Sequence, residues 1–235
     1  MYDDRTHSGA QLTEESIRLW EQHTKEYVKV ATPESVAIAE SFMTARNAYD
    51  TETAMSLLAD GPVTAQLMHD NRMDPFMFSV QLNRDELALA FEAERLFGVR
   101  YSSFECRRGD FRLEGEGNSA NVICTYSMDS KMRQLAGSPP LVSAFGIGVH
   151  GGRIDVLTFP WLNISWNPSG YYPPEFEKFV QWLDAAHPEA IDAGDPMAPQ
   201  RLFRVAGQEW ILKLDRASLD LLASYLDEYE RSVSA

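Results

Sequence analysis

Between Tyr101 and Trp161 apolar and polar residues alternate in four consecutive runs, and the rest of the chain is organised around them. The first run, 101–114, is interrupted near Gly109, where a bulge would bend a strand. Gly115-Glu116-Gly117-Asn118 then supplies turn residues that tolerate positive φ. In the second run, 119–128, Ala120, Val122, Cys124, Tyr126 and Met128 share one face, with Ser119, Asn121, Thr125 and Ser127 on the other. That is the period of a half-buried strand. The third run, 141–149, follows Pro139-Pro140 and puts Leu141, Phe145, Ile147 and Val149 on one side. Gly151-Gly152 fits a tight hairpin. If the fourth run, 153–161, alternates without interruption, Asp155, Leu157, Phe159 and Trp161 share a face.

Elsewhere the period is helical. Residues 12–29 read as an amphipathic helix that Thr13 can cap, with Glu14 and Glu15 in its first turn. Thr32-Pro33-Glu34-Ser35 starts a second helix running to about Ala48, with Thr32 as N-cap and Pro33 where its missing N–H costs nothing. Asp50 or Thr51 caps a short helix closed by Asp60-Gly61. Pro62 to His69 reads as a strand and 70–74 as its turn. Asn83-x-x-Glu86 is a capping box opening a helix over 84–97. An aromatic loop (Trp161, Trp166, Tyr171, Tyr172) leads into a helix at 175–186, a linker at 187–199, an ambiguous apolar stretch at 201–214 and a last helix at about 215–232. Residues 12–27 align without a gap on 214–229, with Leu, Ser, Leu, Glu and Tyr identical at five positions. The two segments are therefore expected to be helical and to dock near each other or at related places, since neither is long enough to stand alone in water.

Composition changes this picture little. With 235 residues, one domain with extensions is expected: 1–32 as an N-terminal helical extension, 33–163 as the domain, and 164–235 as aromatic loop and C-terminal extension. A net charge of −14 argues against nucleic-acid and anionic-membrane partners, both of which present phosphate. No apolar run reaches membrane-span length and no signal-peptide pattern opens the chain, so a cytoplasmic location is expected. Cys106 and Cys124 are then expected as reduced, buried thiols, with a disulfide across their strands as the alternative. No His/Cys/Asp/Glu spacing points to a metal, and no cofactor is expected.

The phrase Ala45-Arg46-Asn47-Ala48-Tyr49-Asp50 with Leu57-Leu58-Ala59-Asp60, followed by the strand run and Gly152-Arg153-Ile154, resembles the NTF2-like superfamily, in particular its SnoaL-like branch. The resemblance covers about 33–163. It implies an α+β cone, a curved antiparallel sheet with helices closing over its concave face. It also implies a pocket for a hydrophobic small molecule and, by family habit, a homodimer through the outer face, where Ile123 and Val142 lie. Members include ketosteroid isomerases, epoxide hydrolases, polyketide cyclases and proteins that only bind or assemble, so fold alone does not deliver function. The isomerase's oxyanion tyrosine falls at Phe42, its base at Gln66 and its protonated acid at Phe145 or Ala144. None of these moves a proton as that mechanism requires.

Asp155 is the first catalytic candidate: a carboxyl group enclosed by Leu157, Phe159 and Trp161 could act as acid or base near neutral pH. The plain structural reading places it at the mouth of the sheet, paired with Arg153 or a helix end. Tyr126 could donate to a ligand oxygen, and Gln66, Ser143, Phe145, Leu157, Phe159 and Trp161 complete the expected ligand-binding set. His69-Asp70 is an improbable base and orienter, since neighbours in a strand point to opposite faces. Gly146-x-Gly148-x-x-Gly151 lies inside a strand and cannot open the helix a dinucleotide site needs. Arg108-Gly109-Asp110 reads as a bulge, and Asn163-Ile164-Ser165 has no secretion signal to make it relevant. Two functions stand side by side: a cofactor-free acid/base enzyme (cyclase, isomerase or hydrolase), and a non-catalytic protein that binds a ligand or assembles through its sheet.

Overall fold

The computed structural model describes residues 31–68, 77–112, 119–158, 174–191, 202–206 and 209–234. Helix α1 (Pro33–Ala48) starts as its sequence requires: Thr32 is extended, its hydroxyl accepts the Ser35 N–H, and Pro33 occupies the first turn. It stops at Tyr49, a left-handed residue (φ 57°) whose hydroxyl donates to Val99 O at 2.7 Å and whose ring lies under the Arg100 guanidinium. Asp50 caps the short α2 (Thr51–Ser56) through the Thr53 N–H. Helix α3 (Arg84–Leu96) has both halves of its capping box in place between Asn83 and Glu86.

Six strands form one sheet: β1 (Val63–Met68), β2 (Met77–Leu82), β3 (Arg100–Arg112), β4 (Ser119–Asp129), β5 (Leu141–His150) and β6 (Arg153–Thr158). Their order is β2-β1-β6-β5-β4-β3, and the two edges do not pair with each other, so the sheet is open. All pairings are antiparallel except β1 with β6, which is parallel. Strand β3 carries an extra residue twice relative to β4, once between Ser102 and Glu105 and once between Arg108 and Phe111. The second irregularity contains Gly109, as its sequence predicts, and both bend the strand. Gly151 and Gly152 form the β5–β6 hairpin with φ of 58° and 77°, which the twist of the flanking strands favours.

Among the described residues a strand and an α-helix were not expected, and a single 3-10 turn (Pro188–Ala190) opens the stretch read as a linker. Strand β2 continues a hairpin from β1, and its Ser79-Val80-Gln81-Leu82 alternation is the signal that would have found it. Helix α4 (Lys131–Ala136) lies where a loop was expected, started by the Ser130 side chain and stopped at left-handed Gly137. Downstream, α5 (Pro174–Ala186) and α6 (Arg216–Ser234) match their predicted spans closely. The ambiguous stretch resolves into a small hairpin, β7 (Phe203–Ala206) with β8 (Glu209–Leu212).

The core lies between the concave face of the sheet and α1 and α3. Val122, Cys124, Tyr126 and Met128 from β4, Ile147 and Val149 from β5 and Leu157 from β6 meet Phe42, Met43, Leu87 and Phe91 in one buried cluster. The same cluster includes Phe179 and Leu183 of α5 and Leu219, Leu222 and Tyr229 of α6. Arg216 of α6 grips Glu92 of α3 at 2.6 and 2.7 Å. Thus α6 docks on the domain through its apolar face; the similar segment 12–29 lies outside the described residues.

Two expectations need correction. Cys106 and Cys124 are joined by a disulfide rather than held as thiols. They sit directly opposite each other in the β3–β4 register, and so close a pairing is invisible without the bulges that set that register. Ile123, taken as an outward contact for a dimer, is only 2% exposed within the single chain. It lies across Gly109, where an added Cβ would come within 2.0 Å of its Cδ1. Of the expected dimer contacts, Val142 is exposed.

Candidate functional site

The stripe of α1 that faces the sheet runs Ala39, Phe42, Met43, and one turn further it delivers Arg46. The corresponding stripe of α3 runs Leu87, Ala90, Phe91 and then Glu94. Two charges are therefore carried into the core by the helical period that buries their apolar neighbours. Arg46 Nε donates to Glu94 Oε2 at 2.7 Å and Oε1 at 3.0 Å, with side-chain exposures of 0% and 1%. Tyr101, at the start of β3, donates its hydroxyl to Glu94 Oε1. The Arg46 guanidinium also lies 4.9 Å from the centre of the Tyr101 ring. Tyr101 meets the Tyr126 ring edge-on at 5.3 Å.

The electrostatics follow from burial. Burial is the largest influence on Arg46 and works against its charge, but Glu94, Tyr101 and Tyr126 together leave the guanidinium pKa raised. Burial is the main cause that holds the Tyr101 hydroxyl well above the usual phenol range, with Arg46 opposing and Glu94 reinforcing it. Glu94 spends both oxygens on Arg46 and one of them also on Tyr101. Both of its oxygens are engaged, so it is not a free base.

The sequence-predicted residues fall in three places. Tyr126 and Leu157 are buried on the concave face, as expected. Ser143 and Phe145 take register positions opposite Tyr126 and Cys124, and Gln66 lies in β1 opposite Ser79 and Thr158. The side chains of Gln66, Ser143 and Phe145, and Phe159 and Trp161 altogether, lie outside the described residues, as does His69-Asp70. Phe42 is fully buried with its ring 5.9 Å from Phe91, so an apolar side chain stands where the resemblance would put an oxyanion tyrosine.

Asp155 is not among the concave-face residues. From Ile147↔Leu157 and Gly148↔Val156 the pairing jumps to Val149↔Ile154, leaving Asp155 as an extra residue in β6. This bulge breaks the alternation on which the shared face depended. Ile154 and Leu157 enter the core, while Asp155 stays 36% exposed with Oδ1 2.6 Å from His150 Nδ1. Its partner is His150, not Arg153, whose guanidinium donates to Ser56 O in α2. Gly148 makes the room: a Cβ there would sit 2.6 Å from Val156 Cβ and 3.1 Å from Asp155 Oδ1.

Beside this pair lies a cleft of about 470 Å³ between the start of α1 and the β5–β6 hairpin, lined by Thr32, Ser35, Asn121, Val149 and His150 to Gly152. Asn121 donates to Val149 O at 2.8 Å and accepts Val149 N–H at 2.9 Å, standing in for a ladder rung where β4–β5 pairing ends. Sequence reasoning missed His150, Arg46 and Glu94. The last two had a signal, a charge at a stripe position; His150 had none, since its partner depends on the bulge. Among the described residues no group of three or more His, Cys, Asp or Glu side chains could hold a metal ion. Among them also, no helix is long and apolar enough to cross a membrane.

No family model matches the sequence, and no curated protein matches it. Similar solved structures include an NTF2-like protein of unknown function from Cytophaga hutchinsonii, 14% identical, covering 56% of this chain and 91% of that one, TM-score 0.34. A cystatin-fold protein from Novosphingobium aromaticivorans is 14% identical over 55% of this chain and 98% of that one, TM-score 0.33. An LEH-like epoxide hydrolase from M. tuberculosis is 17% identical over 66% and 98%, TM-score 0.31. The architecture is α+β, an open, mostly antiparallel sheet with helices packed on its concave face, as expected from the sequence. Its strand order, its open sheet and the placement of α1 and α3 carry that statement.

Proposed function

We propose that this chain binds a hydrophobic small molecule on the concave face of its cone, with Tyr126 as the polar contact. The Arg46–Glu94–Tyr101 network would hold the inner wall in place around it. The carrying observation is that network itself: a fully buried ion pair and two tyrosines set among apolar side chains. Stability alone does not call for it, since apolar residues of similar volume often serve as well or better. Binding is preferred to acid/base catalysis because Asp155 lies at the rim and Glu94 is engaged on both oxygens. The homodimer stays part of the reading with Val142 as contact, without Ile123. A cytoplasmic location would require the Cys106–Cys124 disulfide to resist a reducing pool.

A thermal-shift panel of steroids, flat polycyclic ketones and terpenes tests the reading, followed by product analysis of each incubation. At least one class raises Tm and is recovered unchanged, and Tyr126→Phe weakens it about tenfold, one lost hydrogen bond. Silence across all three classes would remove the small-molecule reading, and chemical turnover would replace binding with catalysis.

A further inference from the structure

The rim cleft is independent of the concave face and differs from it in chemistry. Its walls are Thr32 and Ser35 on α1 and the His150–Gly152 turn on the hairpin. The two hydroxyls lie 3.3 Å apart, and Thr32 also accepts the Ser35 N–H. Asn121 is spent on the Val149 backbone. His150 is held at Nδ1 by Asp155, and its Nε2 makes no hydrogen bond to the described residues. In the neutral imidazole a carboxylate on Nδ1 favours the proton there, which leaves the Nε2 lone pair as an acceptor. The bulge at Asp155 and the missing side chain at Gly148 exist in just this part of the sheet and put the carboxylate under the imidazole.

We infer that this cleft is a second binding site, for a neutral, hydroxyl-bearing molecule of about monosaccharide size. In it His150 Nε2 accepts a ligand hydroxyl, Thr32 and Ser35 contact others, and Asp155 is the positioning residue that sets the imidazole tautomer. The volume of about 470 Å³ falls within the range of small-ligand sites. The surrounding charges argue against an anion. Glu34, two residues after Thr32, has its carboxyl held below the usual range chiefly by its own backbone N–H and then by Thr32, with Arg108 as the smallest influence, and Asp155 stands behind His150. Arg153, the nearest hairpin cation, is turned to the Ser56 carbonyl. Among the described residues no Phe, Tyr or Trp lines the cleft, so its described walls offer hydrogen bonds rather than a stacking platform beyond His150 itself.

The test is histidine ¹⁵N NMR on the full chain at neutral pH, with D-glucose, D-ribose and inorganic phosphate as probes. His150 is expected as the Nδ1-protonated tautomer, returning to the Nε2-protonated form in Asp155→Ala. One of the sugars should shift His150 and the Thr32 and Ser35 amides saturably, and His150→Gln should weaken that binding about tenfold. Both side chains are more than a third exposed, so amide spectra away from the cleft should be unchanged in either variant. An Nε2-protonated His150 in the unsubstituted protein, saturation by phosphate instead of sugar, or no saturable shift with either sugar would each overturn the assignment. All three readouts are specific to the cleft and leave the concave-face reading standing or falling on its own.

Discussion

Arg46 and Glu94 show how a single charge acquires meaning from its position in a helical repeat. Each occupies the place where the next apolar residue of a core stripe belongs, and each is tolerated because the other is there. Glu94→Gln keeps the shape but leaves the Arg46 guanidinium buried without its counter-charge. We expect it to cost about 3–5 kcal/mol in urea unfolding; a change within experimental scatter would show that the pair is not enclosed as described. Tyr101 gives a pH-dependence with a definite sign. Its folded pKa is well above the ordinary 10.0, mainly through burial. Its contribution is therefore full below that ordinary value. It is lost as the pH rises, because the unfolded chain sheds the proton while the folded one retains it. Unfolding midpoints measured toward alkaline pH should fall more steeply for the parent than for Tyr101→Phe; parallel curves would contradict this.

At the scale of elements, β6 is the instructive case. Its residues alternate by type, yet one extra residue against β5 sends Asp155 to His150 and Ile154 to the core. Gly148→Ala would press a methyl group against Val156 and Asp155, and we expect a loss of about 1–3 kcal/mol from overpacking. The same variant should disturb the His150 imidazole signals, so unaltered stability together with unaltered His150 spectra would mean the bulge is packed differently. Helix α4 and strand β2 are each six residues long, and the signals they carry, a Ser130 cap with its Gly137 stop and the Ser79–Leu82 alternation, span too few residues to stand out from their flanks.

The whole molecule is tied together at three levels: the sheet, the docked α6, and one covalent link across β3 and β4. The Cys106–Cys124 bridge closes a segment with a sequence separation of 18 residues. Replacing both cysteines by alanine should lower stability by roughly 3 kcal/mol, the expectation for a loop of that size. Equal unfolding curves for the parent and the double variant would show that the bridge contributes little. Docking of α6 adds Leu219, Leu222 and Tyr229 to the core that already holds Phe42 and Phe91. The C-terminal helix therefore shares one buried interior with the cone.

The sequence by itself determined what is local or strictly periodic. The Thr32 and Asn83 caps, the inward face of β4, the Gly151-Gly152 hairpin and the spans of α1, α3, α5 and α6 follow from hydrogen-bonding chemistry and spacing within a few residues. Only the tertiary structure decided which side Asp155 takes, that Cys106 meets Cys124, that Ile123 is covered and that Arg46 finds Glu94. Each of these depends on the register or approach of a second element far away in the chain. A one-residue shift in that register turns a strand's side chains to the opposite face, and no pattern within a single strand records it.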